Sequence, residues 1–154
     1  MTNSTLQKQL IQAGATFAGL AVIAGAFGTH GIKARLEPSQ FDIYLKAVEY
    51  QFYHAFGLLI LGFGARRLNE QAAKVIFTFF ILGIIFFCGS LYLLSTSIIW
   101  AKEPISWLGA VAPIGGVSFV IGWGYLVVKG YKPSSNENSA KKVLEMHRRK
   151  KTEE

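Results

Sequence analysis

The sequence predicts an all-α membrane protein: a four-transmembrane-helix bundle with an interfacial amphipathic segment before the second helix. Hydrophobic residues make up 51% of the 154 residues and charged residues only 16%, against about 25% charged residues in ordinary soluble domains. The apolar residues are concentrated in four long runs that short charged connections separate. Because a chain of this length forms about one domain and buries limited apolar surface, we expect lipid to cover the outside of the bundle.

Each apolar run has the length of a transmembrane helix, which needs about 20 residues. The predicted spans, with approximate bounds, are residues 10–32, 48–65, 73–98 and 105–128. They form one transmembrane domain, residues 10–130, which follows a short N-terminus at residues 1–9. Residues 131–154 form a basic tail, which we expect to be disordered or loosely helical because it is polar and rich in charge.

Small residues recur along one face of the first span at spacings of three and four. They are Gly14, Ala18, Ala21, Gly25 and Gly28. Such a seam of small residues lets a neighbouring helix approach backbone to backbone. Residues 24–26 also fit the cleavage site of a signal peptide. The seam continues beyond that site, which favours a first span that is retained.

A polar bridge leads from the first span into the second. After Pro38, the pair Ser39 and Asp42 predicts a helix start that resembles a capping box. Between Phe41 and Phe52 one helix face is apolar and the opposite face is charged. This pattern predicts an amphipathic segment at the membrane interface, continuing into the second span.

The third span is the most hydrophobic run, and its residue Cys88 is expected to be a small buried side chain. In the fourth span, a proline among small residues predicts a kink and a close approach to a partner helix. These residues are Gly109, Pro113, Gly115 and Gly116.

The distribution of basic residues predicts that both termini lie in the cytoplasm. Twelve Lys and Arg lie in the N-terminus, the connection between the second and third spans, and the tail, whereas four lie on the other side. Cytoplasmic segments of membrane proteins carry the excess of basic residues. The net charge of +7 comes largely from the tail, and because no recognition motif accompanies it, we expect no binding to nucleic acid.

Two histidines lie near membrane depth: His30 at the end of the first span, and His54 in the second span with Tyr50, Gln51 and Tyr53 nearby. If the two spans form an antiparallel hairpin, we expect both histidines in the same leaflet, where they could approach one another. Ionisable groups at membrane depth are costly and mark functional candidates. In one interpretation these five residues form a site for a ligand, a quinone, a metal or a relayed proton. In the other, His30 caps a helix end and His54 forms a hydrogen bond between helices. Without a third ligand or a carboxylate at depth, we predict no metal, no cofactor and no catalytic residue.

Four motifs, in order along residues 14–128, resemble the DUF423 family. They are GAFGTHGIK at residues 25–33, YQFYHA at 50–55, CGSLY at 88–92 and LGAVAPIGG at 108–116. The family includes the bacterial UPF0382 group and is similar to eukaryotic transmembrane protein 256. Three positions depart from it: Thr29 and Cys88 stand where alanine and serine are commoner, and Ala112 where threonine is. The resemblance implies a small inner-membrane protein with several spans and brings no activity or catalytic residues.

The leading hypothesis is a non-enzymatic accessory or scaffold protein of the bacterial inner membrane, associating with itself or with other membrane proteins. The glycines of the first and fourth spans motivate it. One alternative is the intramembrane site around the two histidines. Another is an anionic-lipid-binding protein that uses residues 41–52 and the basic tail. The lipid bilayer is a partner in each hypothesis.

Overall fold

The computed structural model describes residues 3–101, 105–132, 143 and 145–149. Nearly all of these residues are helical. The α-helices of the bundle are α1 (Asn3–Phe27), α2 (Pro38–Gly64), α3 (Glu70–Gly83), α4 (Gly89–Trp100) and α5 (Ala112–Lys129). In the predicted tail, Val143 and residues 145–149 are helical. The rest of the tail beyond Lys132, where a disordered or loosely helical chain is predicted, lies outside the described residues.

The four predicted spans fall on helical segments, and short turns of other helix types extend or join them. A π-helical turn, Gly28–Ile32, and a 3₁₀ turn, Lys33–Arg35, extend α1, and a second π-helical turn, Ile84–Cys88, joins α3 to α4. Among the described residues, three segments are long and apolar enough to cross a membrane: Thr5–Arg35, Glu70–Trp100 and Ser106–Lys129. α2 is less apolar because polar side chains interrupt its first half.

The start of α2 differs from the prediction, because Ser39 and Asp42 do not form the capping box. Glu37 is the N-cap residue instead, and its side chain accepts a hydrogen bond from the backbone N–H of Gln40. In return, the Glu37 N–H donates to Gln40 Oε1 at 3.2 Å. Pro38 follows in the first turn, where its missing N–H costs no hydrogen bond within the helix.

The amphipathic residues 41–52 continue without interruption into the second half of α2, as the sequence predicts. The kink predicted at Pro113 is wrong. Pro113 lies in the first turn of α5, after a 3₁₀ turn at Ser106–Ala110, and therefore begins the helix instead of bending it.

The helices pack as two pairs. α1 lies along α2, α3 lies along α5, and α2 also contacts α4, which joins the pairs. α1 and α2 are antiparallel, since the carbonyl of Phe17 accepts from Gln51 and the carbonyl of Ala24 accepts from Tyr44. The buried apolar core lies toward the end where α1 begins, α2 ends and α3 begins. Its most buried members include Leu10, Leu58, Leu61, Ile76 and Phe80.

At this same end, the backbone ties α5 to the connection between α2 and α3. An isolated β-bridge pairs Leu68 with Tyr131. The Asn69 N–H donates to the Gly130 carbonyl at 2.8 Å. Asn69 also caps α3, because its side chain accepts hydrogen bonds from the first turn of that helix. The start of α1, the end of α5 and the α2–α3 connection therefore lie on one side of the bundle.

Candidate functional site

His54 is enclosed by aromatic rings from the α3–α5 pair. Its side chain is only 5% exposed, and its ring stacks on Phe119 with 3.4 Å between centroids and meets the edge of Phe80 at 5.2 Å. Gly83 and Gly122 leave room for these rings, because a Cβ at either position would overlap Phe119 or Phe80. The imidazole is therefore held in one orientation by packing.

Both ring nitrogens of His54 have hydrogen-bond partners within the chain. Nδ1 lies 2.8 Å from the carbonyl oxygen of Tyr50, and the indole N–H of Trp123 donates to Nε2 at 3.1 Å. A carbonyl only accepts and an indole only donates, so the neutral tautomer with its proton on Nδ1 satisfies both contacts. His54 thus joins α2 to α5, and its Nε2 lone pair is already used.

His30 lies far from His54. The antiparallel register places Gln51 level with Phe17, because Gln51 Nε2 donates to the Phe17 carbonyl at 2.9 Å. His30 is thirteen residues further along α1 and its extension, which at 1.5 Å per residue is about 20 Å along the bundle. The His30 side chain is also exposed, whereas His54 is buried. The structure does not bring the two histidines together.

The other three candidate residues point in different directions. Gln51 is buried and bonds to α1. Tyr50 is 38% exposed and packs against Phe87 with 4.8 Å between ring centroids, whereas Tyr53 is 60% exposed. Tyr50 does lie beside His54 and Tyr53, with 6.3 Å and 6.1 Å between ring centroids, whereas Gln51 faces α1 and His30 lies apart.

The seam of small residues on α1 faces α2 within the same chain. A Cβ on Gly14 would lie 2.8 Å from Leu59 Cγ, and a Cβ on Gly28 would overlap the ring of Tyr44. Gly25 has more space, with Val48 at 3.5 Å. The remaining members agree with this packing, since Ala21 is fully buried and Ala18 is partly buried. The seam closes the first hairpin and is not free to bind another protein.

The small residues of the fourth span differ in how closely they approach the π-helical turn and α4. A Cβ on Gly115 would overlap the backbone of Phe87, so this glycine allows the closest approach. Gly116 has ordinary contact distance to the Phe87 ring, at 3.7 Å, and Gly109 lies 3.9 Å from Leu94. Pro113 is exposed at the start of α5.

An apolar groove of about 620 Å³ lies between α1 and α4, which both pack on α2. Leu20 of α1 and Leu93 of α4 are typical of its walls, and Tyr44 and Gln51 contribute from α2. Tyr92 also lines it. Among the described residues, the Tyr92 hydroxyl oxygen is the one buried side-chain polar atom without a hydrogen-bond partner.

Sequence reasoning missed both Trp123 and Tyr92. Trp123 lies 69 residues from His54, so no local spacing connects them. One signal existed: an indole in the last span is a donor that needs an acceptor when it is not in water.

For metals, the described residues contain no group of three or more His, Cys, Asp or Glu in a ligating arrangement.

Comparisons with known proteins agree with the resemblance seen in the four motifs. The family model described as "Protein of unknown function (DUF423)" matches residues 24–116. The UPF0382 membrane protein SERP0230 of Staphylococcus epidermidis is 42% identical over 127 residues, covering 81% of this chain and 97% of that protein. The UPF0382 membrane protein YwdK of Bacillus subtilis is 38% identical over 130 residues, covering 81% of this chain and 98% of that protein. No solved structure matches the chain.

The family match covers more than half of the chain, and these relatives align over nearly their whole length. Both are bacterial membrane proteins by name, in agreement with the long apolar helices. The predicted resemblance is confirmed. This chain is a membrane protein that belongs to the DUF423 family and its UPF0382 group.

Proposed function

We propose that the protein is a non-enzymatic accessory or scaffold component of the bacterial inner membrane, which acts by associating with itself or with other membrane proteins. One observation carries the non-enzymatic part. His54, a buried ionisable side chain of α2, has both ring nitrogens bonded within the bundle, to Tyr50 and Trp123. Its role is then interhelical contact rather than ligand binding or proton transfer.

We propose that α2 crosses the membrane as a fourth span. α2 lies along α1 over most of their length, from the Gly28–Tyr44 contact to the contact of Gly62 with Ile11. A helix that runs beside a spanning helix over this length crosses the same layer. The polar side chains Gln51 and His54, which lower the hydropathy of α2, are buried inside the bundle and need no contact with lipid.

The proposed orientation places both chain termini in the cytoplasm. The side of the bundle with the termini carries Arg66 and Arg67 after α2, and Lys129 and Lys132 at the end of α5. Lys74 near the start of α3 adds a further positive charge, paired with Glu70 at 2.8 Å. Basic residues next to spans favour the cytoplasmic side.

Association requires a surface other than the α1 seam, which α2 already covers. The outward face of α5 offers a suitable shape, because small and β-branched residues recur on it every four positions: Val120, Gly124 and Val128. A Cβ at Gly124 would meet no atom within 4 Å, and Val120 and Val128 are 71% and 73% exposed. Such a ridge permits close packing of a second helix.

The test is native mass spectrometry of the protein extracted from its own membrane in mild detergent, with metal analysis and absorbance spectra of the same sample. We expect a homo-oligomer or a complex with other membrane subunits. Gly124→Leu should reduce that association at least about tenfold, because the added side chain separates the helix backbones by more than their packing tolerates.

Gly19→Leu is the matched control, since a Cβ at Gly19 on the outer face of α1 also meets no atom within 4 Å. We expect this variant to associate like the wild type. A wild-type protein that is a bare monomer, or one that carries a stoichiometric metal or haem, would contradict the proposed function. Equal association of the Gly124→Leu variant would reject the α5 face.

A further inference from the structure

The groove between α1 and α4 has the length of one membrane leaflet. Its lining extends from Phe17 to Ile32 along α1 and its extension, and from Ile84 to Thr96 along the π-helical turn and α4. The second stretch covers about 18 Å at 1.5 Å per residue, slightly more than half of a hydrocarbon core of about 30 Å. The groove lies in the half of the bundle opposite the chain termini, away from the tightly packed core.

The groove has one unmatched hydrogen-bonding group close to its outer end. The Tyr92 ring lines the groove and packs on the edge of Tyr44, with 5.1 Å between centroids. The Tyr44 hydroxyl donates to the carbonyl of Ala24 at 2.8 Å. The Tyr92 hydroxyl oxygen is buried and has no partner in the described part of the chain. A buried hydroxyl without a partner is unfavourable, so an acceptor from outside the described residues would stabilise it.

The position of Tyr44 and Tyr92 along their helices indicates which lipid group accepts a hydrogen bond from the Tyr92 hydroxyl. Tyr44 lies six residues after the start of α2 at Pro38, and Tyr92 lies eight residues before the end of α4 at Trp100. At 1.5 Å per residue, both lie about 9–12 Å from the helix ends. The headgroup layer is about 6 Å thick on each side of the hydrocarbon core. Helices that end at the outer edge of this layer place Tyr92 just inside the hydrocarbon boundary, beside the ester groups of glycerolipids.

We propose that the groove binds one acyl chain of a membrane glycerophospholipid from the leaflet opposite the chain termini, with an ester carbonyl of this lipid accepting a hydrogen bond from the Tyr92 hydroxyl. The apolar walls match the chain, and the groove volume of about 620 Å³ lies within the range of ligand sites, about 300–1,000 Å³. Because the Tyr92 hydroxyl is buried beside the groove, this hydrogen bond requires the ring to turn toward the lipid. This site is independent of the α5 face proposed for association.

Gln51 identifies the competing occupant. It lines the groove, its Nε2 donates to the Phe17 carbonyl at 2.9 Å, and the oxygen of the same amide group, Oε1, is an acceptor. An isoprenoid quinol would offer a hydroxyl donor to this oxygen. The apolar length of the groove and the position of Tyr92 near the ester groups favour the glycerophospholipid, and the experiment separates the two by mass.

The experiment measures lipid bound to the full-length protein by native mass spectrometry, first as extracted from cells and then after reconstitution in nanodiscs of phosphatidylglycerol and phosphatidylethanolamine. Gly89→Leu adds a side chain at the groove, because Gly89 lines the groove and an added Cβ there meets no atom within 4 Å. Gly19→Leu adds the same side chain outside the groove lining. Tyr92→Phe removes only the hydroxyl.

We expect one phospholipid to remain on the wild type and on Gly19→Leu, and Gly89→Leu to lower its occupancy at least about tenfold. Tyr92→Phe should weaken retention about two- to tenfold, which is what one ordinary hydrogen bond contributes. Equal retention by Gly89→Leu would overturn the proposal. Recovery of a quinone, and not a phospholipid, from the cell extract would overturn it as well.

A second measurement separates a bound lipid from the general lipid shell. A phospholipid with a photoreactive acyl chain, incorporated into the same nanodiscs, is activated and its adducts are mapped by peptide sequencing. We expect adducts concentrated in residues 85–96 of the wild type and reduced there in Gly89→Leu. Adducts spread evenly over the outward faces of all helices would contradict the groove as a binding site.

Discussion

At the scale of single residues, a histidine that would be unfavourable in lipid forms a contact between two helices of the bundle. A histidine in a membrane needs partners for both ring nitrogens, and His54 finds one on its own helix and one on α5. The sequence predicts that His54 is buried at depth and names an interhelical hydrogen bond as one of two interpretations. It does not identify Trp123, because the rotation of α5 about its axis depends on packing that no local pattern encodes.

We predict that His54 and Trp123 stabilise the bundle as a coupled pair. A double-mutant cycle with His54→Phe and Trp123→Phe, measured by the unfolding free energy in mixed micelles, should give a coupling of about 0.6 kcal/mol and at most about 1.7 kcal/mol, the range found for hydrogen bonds between membrane helices. Trp123→Phe alone should destabilise the protein, because it leaves the buried Nε2 acceptor unpaired.

Trp107→Phe serves as the control for the tryptophan substitution, since Trp107 is 66% exposed at the end of the bundle. We expect its effect on stability to be small and additive with that of His54→Phe. Additive effects of the His54 and Trp123 substitutions would show that the two side chains are not coupled, and would remove the structural role assigned to His54.

At the scale of helices, a glycine contributes to stability where a neighbouring helix packs closely against its backbone. The structure distinguishes glycines whose Cβ would collide with a neighbour from those that face outward. We predict that Gly28→Ala and Gly115→Ala destabilise the bundle by about 1–3 kcal/mol, as overpacking does. Gly115→Ala should be the more severe of the two, because its Cβ meets the backbone of Phe87, whereas at Gly28 it meets the side chain of Tyr44.

Gly19→Ala is the matched control on the same measurement of unfolding free energy. Its Cβ enters open space, so alanine should be neutral or should stabilise the helix by as much as about 1 kcal/mol. Destabilisation of all three variants to the same degree would mean that the helices do not pack in the observed register.

Helix positions follow from the sequence far better than helix boundaries do. Long apolar runs predict the helical segments directly, because few residues in them favour another conformation. The start of α2 was predicted wrongly because two overlapping pairs fit the capping pattern, Glu37 with Gln40 and Ser39 with Asp42, and only the structure selects the first. The π-helical turns carry no comparable signal in the sequence.

At the scale of the whole molecule, the distance between the two histidines of the candidate site is a property that local sequence patterns do not predict. His30 and His54 lie on the two helices of one hairpin, and their separation depends on the register between those helices. That register results from contacts distributed along the hairpin, such as Gly14 against Leu59 and Gln51 against Phe17. The groove between α1 and α4 likewise appears only when three helices are assembled, so no single stretch of sequence predicts it.

We propose that four helices, α2 included, cross the membrane with both termini in the cytoplasm. Cysteine labelling tests it in a Cys88→Ala background, which removes the one native cysteine. Single cysteines replace exposed residues at both ends of the bundle: Lys8, Arg35, Arg67 and Tyr131. A membrane-impermeant maleimide is applied to spheroplasts before and after permeabilisation.

We expect Arg35→Cys to react in intact spheroplasts, and the other three positions to react only after permeabilisation. Reaction of Arg67→Cys in intact spheroplasts, with Lys8→Cys still protected, would show that α2 returns to the side from which it started. That result would contradict the four-span bundle.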